Sequence, residues 1–152
     1  CLIHQPKYSM FVRWVEDKTT SDHKSLMDVL GEEGVGSIVF SPLAQGLLTN
    51  KYIKGIPAES RVGRGLSNGA ISETDISPER LAVIKALNDI AFQRDQSLAQ
   101  MAITWLMKDK RVTSVLIGAS SVKQLDDNLA CLNNTDFTTD ELNKIEEVLK
   151  GY

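Results

Sequence analysis

Short runs of apolar, mostly β-branched residues occur three times along the chain, and each ends at a strand breaker. Cys1 to Gln5 stops at Pro6, Gly36 to Phe40 stops at Ser41-Pro42, and Val112 to Ile117 stops at Gly118. Runs this short and apolar predict strands buried on both faces of a parallel sheet. Elsewhere the apolar spacing becomes helical. Residues 22–33 place Leu26, Met27 and Leu30 on one face and end before Gly34. Ser77-Pro78-Glu79 combines a capping serine, a proline at the first helical position and an acid beside the positive helix end. The helix it opens has the stripe Leu81, Ile84, Leu87 and Ala91. Ser97 opens another with Leu98, Met101, Ala102, Trp105 and Leu106 at i, i+3, i+4, i+7 and i+8, which makes Met101 and Trp105 core residues. Ser120 or Ser121 starts an amphipathic helix carrying Lys123, Gln124 and Asn128. Thr138-x-x-Glu141 is a capping box ahead of Leu142, Ile145, Val148 and Leu149.

The resulting order is β, α, β, long loop, α, α, β, α, α. Alternation of this kind predicts a parallel α/β sheet, either doubly wound or part of a (β/α)8 barrel. Three strands cannot close a barrel. The chain therefore reads either as a small open α/β domain or as the last part of a barrel whose earlier strands lie elsewhere. The loop, Lys54 to Thr74, is glycine-rich and poor in apolar residues, as expected of a surface lid.

Composition narrows the function. A hydrophobic share of 42% over 152 residues is that of a soluble globular domain. The net charge of −3 argues against a nucleic-acid partner. No apolar run reaches the roughly 18 residues needed to cross a bilayer, so no membrane insertion is expected. No signal-peptide pattern is present. The chain opens with Cys1 rather than methionine, within an expected strand, which suggests that upstream sequence is missing. Cys1 and Cys131 lack metal-ligand spacing and read as reduced thiols of a cytosolic protein.

The ends of the second and third strands carry the candidate chemistry. After the second come Phe40, Ser41, Pro42, Leu43, Gln45, Gly46 and Lys51, an aromatic followed by groups suited to an anionic linker. After the third, Gly118 leads into a helix start, where unpaired N–H groups and the helix dipole favour a phosphate. Each piece also has a plain structural reading. Ser121-x-x-Gln124 is a capping box, Gly118 ends a strand, and most lysines like Lys51 are solvated surface charges. Gly-Ala-Ser-Ser is not the G-x-G-x-x-G fingerprint of a dinucleotide-binding Rossmann unit.

Three segments resemble motifs of the aldo-keto reductases. Phe40-Ser-Pro-Leu-Ala-Gln-Gly-Leu-Leu-Thr-Asn-Lys-Tyr52 is similar to that family's seventh-strand motif. Ile117-Gly-Ala-Ser120 with Gln124 and Asn128 resembles the eighth, and His4-Gln5-Pro6-Lys7-Tyr8-Ser9 the sixth. The nearest branch is the potassium-channel β-subunit-like group, which includes bacterial enzymes acting on L-glyceraldehyde 3-phosphate. The resemblance implies the C-terminal portion of a (β/α)8 TIM barrel, about strands six to eight, that binds NADP(H) without a Rossmann domain. It implies that Gln5 meets the nicotinamide carboxamide and that Phe40 stacks near its ring. Ser41, Pro42, Leu43 and Gln45 would line the pyrophosphate and ribose, and Lys51 and Arg61 would close over the phosphates. Gly118, Ser120 and Gln124 would hold the 2′-phosphate end, and Asp127 with Asn128 the adenine. Two positions depart from the pattern: Asn50 replaces a glycine and Ser9 an asparagine.

The implied reaction is hydride transfer from NADPH to an aldehyde or ketone. The family's catalytic aspartate, tyrosine, lysine and histidine belong to earlier strands. His4, His23, Tyr8 and Tyr52 do not match them, so the chain is expected to reduce nothing alone. Its expected partners are a small carbonyl substrate and the N-terminal barrel half, with a homo-oligomer left open and a cytoplasmic location. Two other readings compete: an NADP(H)-binding, redox-sensing or channel-associated module, and a truncated product that does not fold by itself.

Overall fold

The computed structural model describes residues 1–53, 55–58, 63 and 75–151. Most of the expected loop from Lys54 to Thr74, including Arg61, lies outside the described residues. Three strands, β1 (Ile3–His4), β2 (Gly36–Val39) and β3 (Val112–Val115), form one parallel sheet in the order β1-β2-β3. Around it lie α1 (Leu26–Glu32), α2 (Pro78–Gln93), α3 (Leu98–Met107), α4 (Val122–Leu129) and α5 (Thr139–Leu149). The chain is an α/β structure with the expected element order. Among the described residues no helix is long and apolar enough to cross a membrane.

Pairing continues past the strand ends. Phe40 N–H donates to the Pro6 carbonyl at 3.1 Å, and Leu116 N–H to the Val39 carbonyl at 2.8 Å. The β2–β3 register contains one irregularity. Ser37 pairs with Val112 and Ile38 with Ser114, so Thr113 is an extra residue on β3. The Thr113 hydroxyl accepts from Ser37 N–H at 3.1 Å, supplying the bond that the ladder skips there.

The sequence led us to expect strands buried on both faces, and the structure corrects this. Ser37 and Val39 are fully buried, whereas Gly36 and Ile38 are only half-buried. Thr113, Ser114, Ile3 and Leu116 are exposed. With three strands, no second layer covers the other side among the described residues.

Helix starts follow their caps. Ser77 Oγ accepts from Arg80 N–H, and reciprocal boxes join Ser97 to Gln100 and Thr138 to Glu141. The first helix begins later than the apolar pattern implied, at Leu26 rather than residue 22. A box between Ser25 and Asp28 sets the start there. It ends as expected at Gly34, whose φ of +65° suits glycine, with Val35 N–H returning to the Leu30 carbonyl. Helix α3 is the most enclosed element. Leu98 and every residue from Met101 to Leu106 are buried, including Thr104.

Two polar clusters tie distant segments to this core. The Arg94 side chain is 1% exposed and pairs with Glu141 at 2.7 Å. It also donates to the Asp136 carbonyl and to Gln96, and lies 3.8 Å from the centre of the Phe137 ring. In the second cluster, Arg13 bridges to Glu146 at 2.7 Å, and the Tyr8 hydroxyl donates to Glu16. Burial, then the Glu16 carboxylate, pushes the Tyr8 phenol well above its ordinary value. Lys108 Nζ sits 3.6 Å over the Trp105 ring, and burial lowers its pKa.

Removing the Glu141 charge strands a buried guanidinium. Glu141→Gln, which still accepts from the Thr138 N–H, is expected to cost about 2–4 kcal/mol in urea unfolding. The exposed Glu147→Gln should stay within about 0.5 kcal/mol. The acid limb of stability has a second identifiable source. The Ser25 backbone N–H and hydroxyl, and then Arg111, hold the Asp28 carboxyl at about 2, below its ordinary 3.8. Its folded pKa is depressed, so its stabilisation is complete above pH 3.8 and is lost as the pH falls towards about 2. Asp28→Asn should flatten that part of a plot of urea midpoint against pH.

Candidate functional site

The segment after β2 is backbone under constraint. Ser41 (φ 59°), Ala44 (φ 46°), Gln45 (φ 60°) and Gly46 (φ 94°) all occupy the left-handed region. A non-glycine residue there costs on the order of 1 kcal/mol and persists only where its surroundings over-determine it. Here they do. Pro42, Leu47, Leu48 and Tyr52 are buried anchors. Ala44 N–H donates to the Ser41 carbonyl, and both Gly46 N–H and Leu48 N–H close back to the Leu43 region, at 2.8 and 3.1 Å from its carbonyl. The Thr49 hydroxyl donates to the Gly46 carbonyl at 2.7 Å and accepts from Lys51 N–H at 3.2 Å. The turn therefore presents Ser41, Gln45, Thr49 and Lys51 along one wall.

The facing wall comes from the end of β3 and the start of α4. Ser121 is the N-cap, its hydroxyl accepting from Gln124 N–H at 3.2 Å. The capping box read from the sequence closes differently. Gln124 Oε1 accepts from the Ser120 N–H at 2.8 Å and from its hydroxyl at 2.9 Å, not from Ser121 N–H. This locks Ser120 and Gln124 together. One helical turn further on, Asn128 is 4% exposed and its Nδ2 has no partner among the described residues. A buried amide donor without an acceptor costs about 1–3 kcal/mol, and it is a reason to look for a ligand that supplies one.

Between the walls lies a cleft of about 640 Å³, within the size range of small-molecule and cofactor sites. Ser41, Leu43, Gln45, Gly46, Thr49 and Lys51 line one side. Gly118, Ala119, Ser120, Gln124 and Asn128 line the other, and Ala99 of α3 also belongs to the lining. Among the described lining residues Lys51 carries the only charge, and no carboxylate faces in. The chemistry is one cation, several neutral donors and the first turn of a helix, a set suited to a phosphate ester.

The other expected site residues sit elsewhere. Gln5 is exposed beyond β1, and Phe40 is half-buried at the end of β2; neither lines the cleft. Pro42 is buried beneath the turn. The Asp127 side chain is drawn away from the cleft by its ion pair with Lys123, one turn earlier on the outer face of α4. Arg61 lies outside the described residues. Sequence reading missed Thr49, whose Thr-x-Lys spacing is a turn signal, and Ala99, which nothing local to its helix marks as a cleft residue.

Comparison with known proteins gives these residues a context. The sequence profile of the Aldo/keto reductase family matches residues 1–150. The chain is 49% identical, over 152 aligned positions, to an L-glyceraldehyde 3-phosphate reductase of Escherichia coli O157:H7. That alignment covers 96% of this chain and 41% of the relative. It is 34% identical over 156 positions to a probable voltage-gated potassium channel subunit beta of Oryza sativa subsp. japonica, covering 99% of this chain and 44% of the relative. An Arabidopsis thaliana protein with the same description is 32% identical. The chain thus spans less than half the length of these relatives.

The unpaired Asn128 donor makes a stability prediction of its own. Asn128→Leu should raise the unfolding free energy by about 1 kcal/mol, because it removes an unsatisfied buried amide. A urea titration that instead showed a loss of stability would mean that the carboxamide has a partner within the fold.

Proposed function

The chain belongs to the aldo/keto reductase family, and from that premise we propose that it forms the cofactor-binding portion of an NADP(H)-dependent carbonyl reductase. In this reading the three parallel strands and their helices are the last part of a (β/α)8 barrel. The exposed sheet face and the outer edges of β1 and β3, which are unpaired among the described residues, are where the remaining barrel would close. The phosphate-suited cleft lies where barrel enzymes commonly bind phosphate, at the loops after the last two strands.

The observation that carries the reading is the cleft. Among the described residues, its one cation, its neutral donors and the buried, unpartnered Asn128 Nδ2 fit a dinucleotide phosphate with a polar base at its far end. Lys51, with Arg61 from the segment beyond Tyr52, would neutralise phosphate. Ser41, Leu43 and Gln45 would line the linker, and Ser120, Gln124 and Asn128 would hold the adenosine end. Gln5 and Phe40, at the ends of β1 and β2, would meet the nicotinamide. When bound, the reduced cofactor supplies the hydride for a small aldehyde such as glyceraldehyde 3-phosphate. This chain's own part is to bind and orient. The proton donor and most of the substrate pocket would come from the earlier strands, so the chain alone should turn over no carbonyl compound. The setting proposed is cytoplasmic.

The relatives described as potassium channel β subunits favour a second reading, in which the same cleft serves a nucleotide-sensing module without significant turnover. A protein carrying this chain and the rest of its barrel separates the two: steady-state reduction of glyceraldehyde 3-phosphate supports the enzyme.

Calorimetric titration of the full chain with NADP+ tests the site. Lys51→Met and Arg61→Met should each weaken binding about tenfold or more, the expected size for a charge-assisted phosphate contact. If both variants bind as the unaltered chain does, the phosphates do not lie against this wall.

A further inference from the structure

One side chain outside the cleft has two roles at once. Gln100, in the first turn of α3, accepts from Ser97 N–H through Oε1 at 2.9 Å, closing the capping box. Its other amide end does something the cap does not require. Nε2 donates to the Asp127 carbonyl at 2.7 Å, 27 residues away in sequence. Asp127 lies in the last turn of α4, where carbonyls have lost their regular intrahelical donors. The chain there passes from α4 into a tighter helical turn over Ala130–Asn133. The next residue is Asn128, which lines the cleft and whose buried Nδ2 has no partner among the described residues. The residue before Gln100 is Ala99, which also belongs to the cleft lining.

We infer that Gln100 is a positioning residue for the cleft: its Nε2 fixes the last turn of α4 and so aims the Asn128 carboxamide at the bound nucleotide. The inference rests on the dinucleotide reading above. The cap alone does not explain a glutamine here, because a glutamate caps equally well. Of the two capping-box residues, glutamine can accept from Ser97 and donate to Asp127 together, whereas an ionised glutamate only accepts. The tether is also short and direct. A carbonyl held at one residue leaves its neighbour little freedom to rotate about the helix axis, so the Asn128 donor arrives already aimed instead of being ordered at the expense of binding. Nearby contacts hold the following segment to the same elements without touching the cleft: Gln96 Nε2 donates to the Asn134 carbonyl at 2.9 Å and Arg94 to the Asp136 carbonyl at 2.8 Å.

Gln100→Glu separates the two roles, since it keeps the acceptor for Ser97 and loses the donor to Asp127. In the full chain this variant should melt within about 2 °C of the unaltered protein, because its cap survives. It should bind NADP+ about five- to tenfold more weakly, the worth of one well-placed hydrogen bond. The added charge is controlled by salt. A loss due to positioning persists between about 0.05 and about 0.5 M salt, whereas a loss due to repulsion of phosphate is screened away. Amide hydrogen exchange of the variant without nucleotide should accelerate at residues 127–129 and stay unchanged in α5. Gln100→Met, which loses both ends of the amide, should lower the melting temperature and the affinity together.

Unchanged affinity in Gln100→Glu, a loss that vanishes at high salt, or unaltered exchange at residues 127–129 each overturns the positioning role. If the unaltered chain fails to bind NADP+ while exchange at residues 127–129 still responds to the variant, the tether is real but the dinucleotide reading, and the role in binding that depends on it, is wrong.

Discussion

The enclosure of α3 is the constraint on which the rest of the structure depends. A helix buried on nearly every side must pack all its apolar residues and still satisfy its polar ones. Met101, Trp105 and Leu106 supply the first requirement. Thr104 meets the second for its hydroxyl by donating back to the Gln100 carbonyl at 2.8 Å, whereas the buried Trp105 Nε1–H has no hydrogen-bond partner among the described residues. Trp105 extends the arrangement to the residues after β1, with the Tyr8 ring 5.7 Å away and the Arg13 guanidinium 5.1 Å from its centre. Helices α2 and α5 are held to the same body through Arg94, whose full desolvation is acceptable only because Glu141, Gln96 and a backbone carbonyl all address it.

The two walls of the cleft reach their positions by different means. The wall after β2 is a strained turn locked from beneath by buried side chains. The wall after β3 is a helix start whose serine and glutamine bind each other. The first is rigid because several backbone bonds converge on it. The second is rigid at its beginning through Ser120 and Gln124 and at its end through the contact to α3. A site assembled from both can be ready-formed for a multivalent anion, with donors fixed before the ligand arrives.

Much of this was legible in the sequence because it is local. Ser77, Ser97 and Thr138 announced their helices, and the apolar stripe from Leu98 to Leu106 marked the core. The cleft residues Ser41, Gln45, Lys51, Ser120 and Gln124 stood in recognisable runs at strand ends. The misreadings were of two kinds. Strand burial depends on what covers the sheet, which no local pattern states, so Thr113 and Ser114 are exposed. Asp127 and Asn128 were grouped as neighbours, yet consecutive helical residues point about 100° apart. Asn128 follows Gln124 by four and shares its face, whereas Asp127 follows Lys123 by four and pairs with it. Arg94, Ala99 and Gln100 acquire their roles only from segments far away in sequence.

The extra residue on β3 bears on the direction of everything downstream. Side chains along a strand alternate between two sides, so an inserted position must be set aside by the ladder if the later residues are to keep their partners. Thr113 is set aside in this way between the partners of Ser37 and Ile38, and its own hydroxyl stands in for the omitted peptide contact. Were Thr113 paired instead of bulged, every residue from Ser114 onward would fall one place further along β2 and turn to the other side of the sheet. A single hydroxyl within the sheet thus lets β3 keep step with β2 up to the rim where the cleft begins.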